Sequence, residues 1–79
     1  MLKRKVDTME VVASSLGKRV VAARMQRGVN QAELARMIKL SPKSMVAIEL
    51  GYTKDPGFSI MLNIADALGV SLDTLAGRD

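Results

Sequence analysis

The series of helix start and stop residues is the feature that most restricts how this chain can fold. Gly28 suits the left-handed conformation that ends a helix, and Asn30 is a preferred N-cap for a new one. The dipeptide Ser41-Pro42 is a second start signal, because proline at the first helical position has no N–H to leave unpaired. Gly51 is the next stop. Residues 30–51 are therefore predicted to form two short helices joined by a tight turn.

Another helix is predicted before this stretch, with its end near Arg27. It begins either near Thr8, where a capping-box spacing occurs, or later, at Ser14 or Ser15. The two residues with the capping-box spacing are Asp7 and Glu10. The residues predicted to face the core from this helix are Leu16, Val20, Ala23 and Arg24.

After Gly51 the predicted order is a loop, a fourth helix and one last helical turn. Turn-forming residues dominate the loop over residues 51–57. The fourth helix runs from about Phe58 to Gly69, and Ser71 caps a final turn that ends at Leu75. The later helices are predicted to bury Leu34, Ala35, Ile38, Met45, Ile48, Phe58, Met61, Leu62, Ala65 and Leu68. Because strand-type alternation is not sustained, we expect an all-α fold of five short helices around one core.

Composition excludes several kinds of site. The chain of 79 residues has no Cys and no His, which removes disulfides, Cys-based zinc sites and the commonest general base. So short a chain leaves little room for a deep pocket, so we expect no enzyme, no cofactor and no metal.

No apolar run approaches the length of a membrane span, and no secretory signal follows Met1. The expected location is therefore the cytoplasm, with no membrane partner.

Charge and layout together indicate a nucleic-acid partner. The formal net charge is +4, and a basic excess favours a polyanion by raising its local concentration and releasing its counterions. Two short helices joined by a tight turn are the layout of a helix-turn-helix, whose second helix enters the DNA major groove. We therefore expect double-stranded DNA as the partner.

The order and spacing of residues from about Leu16 to Leu75 resemble the lambdoid phage repressor and Cro family, the XRE-type helix-turn-helix domains. The resemblance is carried by residues 16–19, Arg24, 28–35, Ser41, 48–49, Gly51, Pro56 and 64–73. Their joint order is specific, although no single segment is. The resemblance implies a compact five-helix repressor-like domain with a helix-turn-helix. We expect an N-terminal extension at 1–14 (a basic arm or extra helical turns), the DNA-binding domain at 15–76 and a frayed tail at 77–79.

The resemblance implies roles for three residues. One of them would contact the DNA backbone, and the other two would be structural. Gln31 matches a glutamine that contacts a DNA phosphate in the family, at a helix N-terminus whose dipole favours an anion. Arg24 and Glu49 match a pair that forms a buried or half-buried salt bridge. We expect this pair to join the first helix to the end of the third and to stabilise the fold.

The outward face of the third helix is expected to read the DNA sequence. Lys43 can donate to guanine O6 and N7, and Ser44 can contact a phosphate or a base. Pro42, Val46 and Ala47 offer only apolar contacts, so thymine methyl groups or DNA shape would contribute. Family members often carry Gln, Arg, Ser or Asn on this face, and this chain departs from that pattern. The residues predicted to bind DNA are Gln31, Ser41, Pro42, Lys43, Ser44, Val46, Ala47, Thr53 and Lys54.

Two basic segments outside the third helix are candidates for contacts with the DNA backbone. Thr53 and Lys54 match a loop that meets phosphates in the family. The run Lys3-Arg4-Lys5 is either an arm that reaches DNA or a basic tail.

A second function is compatible with the third helix. Val46, Ala47 and Leu50 form an apolar strip on a face expected to be exposed to solvent, and exposed apolar patches can mark protein interfaces. The alternative function is therefore a helix-turn-helix domain used for protein–protein binding, as in an antiactivator or antitoxin. The basic side chains that favour DNA instead are Lys18, Arg19, Lys39, Lys43 and Lys54.

We accordingly expect a sequence-specific DNA-binding transcriptional regulator, acting as a repressor of a phage or other mobile element or of its own operon. One short helix contacts few bases, so we expect a homodimer on an inverted-repeat operator. The expected dimer surface is residues 70–75, with help from Met9 and Val12. Control would come through protein concentration or through a regulatory protein partner.

Overall fold

The computed structural model describes residues 16–78, and these residues form five helices and no strand. The helices are α1 (16–27), α2 (Gln31–Met37), α3 (Pro42–Leu50), α4 (Phe58–Leu68) and α5 (Leu72–Ala76). The predicted all-α class is confirmed. The alternative starts of the first helix, the pair Met9 and Val12 and the basic run at 3–5 lie outside the described residues. None of the helices over residues 16–78 is long and apolar enough to cross a membrane.

The residues predicted to start or stop α2 and α3 lie at the observed ends of these helices. The side chain of Asn30 accepts a hydrogen bond from the Glu33 N–H, and the Glu33 carboxylate accepts one from the Asn30 N–H, both at 2.8 Å. Ser41 Oγ accepts from the Ser44 N–H at 3.1 Å. Gly51 ends α3 in the left-handed conformation, with φ at 88°. These contacts satisfy backbone groups that helix ends leave unpaired, so the local sequence sets the boundaries of α2 and α3.

Every helix contributes one fully buried side chain to a single core. These side chains are Val20, Leu34, Met45, Ile64 and Leu75. Burying a side chain of this size contributes about 1.5–3 kcal/mol. Isolated helices as short as α2 and α5 are unstable in water, so the shared core is what keeps them folded.

The buried face of α4 differs from the prediction. Phe58 and Leu62 are 70% and 38% exposed, so the expectation that they are buried is wrong, whereas Ile64 is fully buried. The apolar side of α4 is wide, and Phe58 and Leu62 lie at its edge, on the side of the exposed Asp66. The contacts of α4 with α2 and α5 select the face that carries Ile64 and Leu68.

The end of the chain differs from the prediction in a second way. Leu75 is fully buried in the core of its own chain, so it is not available for the dimer surface expected over residues 70–75. Val70 and Leu72 are half-buried and also pack against the core. The reason is that α5 has only 5 residues, and its apolar side chains pack against the rest of the domain.

Gly17 sets the distance between α1 and the end of α3. A β-carbon built on Gly17 would lie 2.7 Å from the carbonyl oxygen of Ile48 and even closer to that of Glu49. These are backbone atoms, so they cannot move aside without separating the two helices. Gly17 therefore allows a close approach that no other residue type permits.

We predict that Gly17→Ala lowers the melting temperature. Helix propensity alone would favour Ala over Gly by about 1 kcal/mol. Overpacking against the α3 carbonyls opposes this gain, at a cost of about 1–3 kcal/mol. Thermal denaturation followed by circular dichroism measures the balance, with the exposed Ala22→Ser as a control on the same helix. A raised melting temperature for Gly17→Ala would contradict the close approach.

Candidate nucleic-acid interface

The turn between α2 and α3 is held by backbone hydrogen bonds. The Leu40 N–H donates to the Ala35 carbonyl at 2.8 Å, and Lys39 adopts a left-handed conformation with φ at 57°. Positive φ is uncommon for a residue with a side chain, so the bend has a defined shape. It brings Ser41 to the start of α3 and packs α2 against α3.

Arg24 and Glu49 meet in a two-pronged ion pair between α1 and α3. Arg24 Nε donates to Glu49 Oε2 at 2.7 Å, and Arg24 Nη2 donates to Glu49 Oε1 at 2.9 Å. Arg24 Nη1 also donates to the Val29 carbonyl at 3.2 Å, in the link between α1 and α2. The side chains are 14% and 4% exposed, respectively. The hydrogen bonds to Glu49 raise the pKa of Arg24, against the opposing effect of burial, so Arg24 stays charged.

Gln31 belongs to the same cluster. Its Nε2 donates to Glu49 Oε1 at 2.9 Å, and its side chain is half-buried. One carboxylate oxygen of Glu49 therefore accepts from two helices at once. The family resemblance implied a role toward DNA for Gln31 and a role in the fold for Glu49, and no sequence pattern indicated the contact that joins them.

The N-terminal turn of α3 presents polar groups to solvent. Ser41, Lys43 and Ser44 are all exposed. Ser41 Oγ donates to Ser44 Oγ at 2.9 Å, which leaves the Ser44 hydroxyl hydrogen available to an external acceptor. Pro42 is exposed beside them, and Val46 and Ala47 are half-buried one turn later.

The loop after α3 folds back onto the end of that helix. The N–H groups of Tyr52 and Thr53 both donate to the Ala47 carbonyl, at 2.9 and 3.1 Å. Thr53 is half-buried and Lys54 is exposed. The two residues predicted to contact phosphates are therefore held next to α3.

The N-terminus of α4 follows this loop and was not among the residues predicted to bind DNA. Its N-cap is Gly57, and no side chain caps the helix. The first backbone N–H of α4 with a helical acceptor is that of Met61, which donates to the Gly57 carbonyl at 3.1 Å. Uncapped N–H groups and the helix dipole favour an anion. The signal in the sequence was a glycine where a capping Ser, Thr, Asn or Asp would be usual.

The basic side chains fall into two groups. Over residues 16–78, Lys43 and Lys54 form no salt bridge, and the same is true of Lys18 and Lys39. In contrast, the Arg19 guanidinium lies against Gly77 at the end of α5, and Arg27 Nη1 donates to the Leu68 carbonyl at 3.2 Å. Arg19 and Arg27 thus support the ends of helices, whereas the four lysines carry accessible positive charge together with the exposed Arg36 and Arg78.

The apolar strip on α3 is smaller than its spacing suggested. Val46 and Ala47 are half-buried, and Leu50 alone of the three is exposed. Tyr52, in the following loop, is exposed as well. The accessible apolar surface at this end of α3 is therefore Leu50 and Tyr52.

The comparisons with known proteins agree on one family. A family described as "Helix-turn-helix domain" matches residues 17–77 of the chain. The chain is also 34% identical over 65 residues to the "HTH-type transcriptional regulator ImmR" of Bacillus subtilis (strain 168), a match that covers 82% of this chain and 50% of that protein. The chain thus spans about half the length of this relative. The resemblance to XRE-type helix-turn-helix domains is confirmed by these matches. No solved structure gives a significant match.

We predict that Arg24→Ala and Glu49→Ala each destabilise the fold by about 3–5 kcal/mol, because each leaves a buried charge without its partner. The double substitution Arg24→Met/Glu49→Met removes both charges and should recover most of this loss. Chemical denaturation measures these free energies of unfolding, with the exposed Asp66→Ala as a control that should change little. An unchanged free energy of unfolding for both alanine variants would show that the ion pair is dispensable.

Proposed function

The chain belongs to the helix-turn-helix domain family, and on that premise we propose that it is a sequence-specific DNA-binding transcriptional regulator. The observation that carries the proposal is the exposed N-terminal turn of α3, where Lys43 has no salt bridge within residues 16–78 and Ser44 has a hydroxyl hydrogen to donate. A second helix that begins with accessible donors is what major-groove binding by this motif requires. The partner is double-stranded DNA in the cytoplasm.

Base reading in this proposal comes from one face of α3. Lys43 donates to guanine O6 or N7, and Ser44 donates to a base or a phosphate. Pro42, Val46 and Ala47 contact thymine methyl groups. Because few of these side chains can hydrogen-bond a base, DNA shape supplies part of the specificity.

Backbone contacts come from three places around α3. Gln31 lies at the start of α2, Thr53 and Lys54 lie in the loop after α3, and the uncapped N-terminus of α4 follows that loop. Such contacts orient the protein on DNA and carry no sequence information themselves. In this proposal, backbone contacts are the function of the polar groups that lie outside the outward face of α3.

We propose further that the protein acts as a repressor of a phage or other mobile element, bound as a homodimer to an inverted repeat. The regulator name of the Bacillus subtilis relative supports a role in transcription. A dimer doubles the number of bases read, which a single short helix needs for useful specificity. Occupation of an operator that overlaps a promoter would then block transcription.

The dimer proposal predicts a footprint with two half-sites. Their centres should be about one helical turn apart, because two α3 helices related by a twofold axis enter successive major grooves on one side of the duplex. Footprinting on DNA from upstream of the protein's own gene, together with the stoichiometry at saturation, measures this. A single asymmetric half-site occupied by a monomer would rule the dimer out.

The two kinds of contact predict different effects of mutation. Lys43→Ala should relax the preference at one base position, at a cost of about 1–3 kcal/mol if Lys43 bonds guanine. Gln31→Ala should weaken binding to all sequences by a similar factor. Binding to a panel of operator variants at fixed salt measures both, since affinity for DNA depends steeply on salt. A wild-type protein without any sequence preference on this panel would contradict sequence-specific binding.

The exposed Leu50 and Tyr52 favour a second candidate function, protein binding by the end of α3. If the domain captures a protein, Leu50→Asp should abolish that capture, while Gln31→Ala and Lys43→Ala should change it little. Pull-down with each variant, beside a DNA-binding assay, separates the two functions. Wild-type protein without DNA affinity at low salt would favour protein binding.

A further inference from the structure

We propose that Glu49 is a positioning residue for DNA binding, which holds the Gln31 side-chain amide in place to donate to a phosphate. This inference rests on the proposed function, since it assumes that Gln31 meets the DNA backbone. It gives Glu49 a role beyond the ion pair with Arg24.

The geometry of the carboxylate carries the proposal. Glu49 Oε2 accepts from Arg24 Nε at 2.7 Å, and Oε1 accepts from both Arg24 Nη2 and Gln31 Nε2 at 2.9 Å. The Glu49 side chain is almost fully buried, so its oxygens cannot follow a moving partner. The ion pair is complete without Gln31, because Arg24 already engages both oxygens. The third hydrogen bond fills another lone pair of this buried carboxylate, and its effect on the Gln31 amide needs an explanation of its own.

The chemistry of the amide supplies that explanation. A carboxylate only accepts hydrogen bonds, so it can pair with the NH₂ end of the Gln31 amide and not with the carbonyl end. The amide nitrogen has two N–H groups, and Glu49 engages one of them. The other remains for a phosphate oxygen, which is also an acceptor only. Without Glu49 the amide could turn its carbonyl oxygen toward the phosphate, and the side chain would have to be ordered on binding.

Arg24 makes this arrangement compatible with a polyanion. A lone carboxylate next to a phosphate contact would repel DNA, but the Arg24 guanidinium compensates the charge of Glu49 at hydrogen-bond distance. The Glu49 carboxylate can therefore orient a donor near DNA at little electrostatic cost.

The test is a double-mutant cycle between the ion pair and Gln31. The charge-neutral variant Arg24→Met/Glu49→Met removes the acceptor for Gln31 and leaves the net charge unchanged. Binding is measured by fluorescence anisotropy with a labelled mixed-sequence duplex of roughly 20 base pairs, long enough for two half-sites, at low salt. Phosphate contacts do not depend on sequence, so no operator is needed. The matched control is Asp66→Met/Arg78→Met, which removes one exposed charge of each sign elsewhere.

We expect Arg24→Met/Glu49→Met and Gln31→Ala each to weaken binding about tenfold for every bound subunit, as for loss of one hydrogen bond to a charged group in each. Adding Gln31→Ala to the double methionine variant should cause little further loss, because both changes remove the same contact. The slope of log affinity against log salt should stay as in wild type, because the Gln31 amide is neutral and neither variant changes the net charge. The control should bind as wild type does.

Three results would overturn the inference and leave the proposed function intact. They are wild-type affinity for the folded double methionine variant, an equal loss from Gln31→Ala in both backgrounds, and no effect of Gln31→Ala in the wild-type background. Failure of wild-type protein to bind the duplex at low salt would overturn the proposed function and the inference together.

A measurement on the wild-type protein covers the case in which the double methionine variant does not fold. Nuclear magnetic resonance relaxation of the side-chain amides compares Gln31 with Gln26, which is exposed on α1. We expect the free protein to show a rigid Gln31 amide and a mobile Gln26 amide on the ps–ns timescale. Equal mobility of the two amides would overturn the inference.

Discussion

The ion pair between Arg24 and Glu49 is the contact on which the arrangement of α1, α2 and α3 depends. A single carboxylate accepts from Arg24 on α1 and from Gln31 on α2 while it sits near the end of α3. Charged side chains this deeply buried are tolerated only when they are paired and hydrogen-bonded. The positions of Arg24 and Glu49 relative to each other are therefore closely fixed. The same carboxylate therefore links α3 to both α1 and α2.

Close packing around this ion pair holds the helices of the motif in one arrangement. Gly17 lets α1 approach the last carbonyls of α3, and each helix adds one fully buried side chain to the core. The helices are too short to be stable alone, so none can move without loss of the shared core. The groups proposed to meet DNA are therefore arranged before DNA binds, which reduces the ordering cost of association.

Local sequence predicted most of the fold, because caps and stops act through atoms a few residues apart. Asn30, Ser41 and Gly51 end or begin helices where expected. The edge of the buried face of α4 was not predictable in this way, because the apolar side of this helix is wide and only contacts with α2 and α5 decide between Phe58 and Ile64. The bond from Gln31 to Glu49 spans 18 positions along the chain, and spacing patterns carry no information about it.

The central claim is that α3 and the groups around it form a DNA-binding surface. The most direct measurement is a titration of isotope-labelled protein with a DNA duplex, followed residue by residue by nuclear magnetic resonance. Our account predicts that the amide signals of residues 41 and 43–47, Gln31, Lys54 and the first turn of α4 shift together, and by more than the signals of the other residues. Shifts confined to α5, or no shifts at low salt, would contradict it.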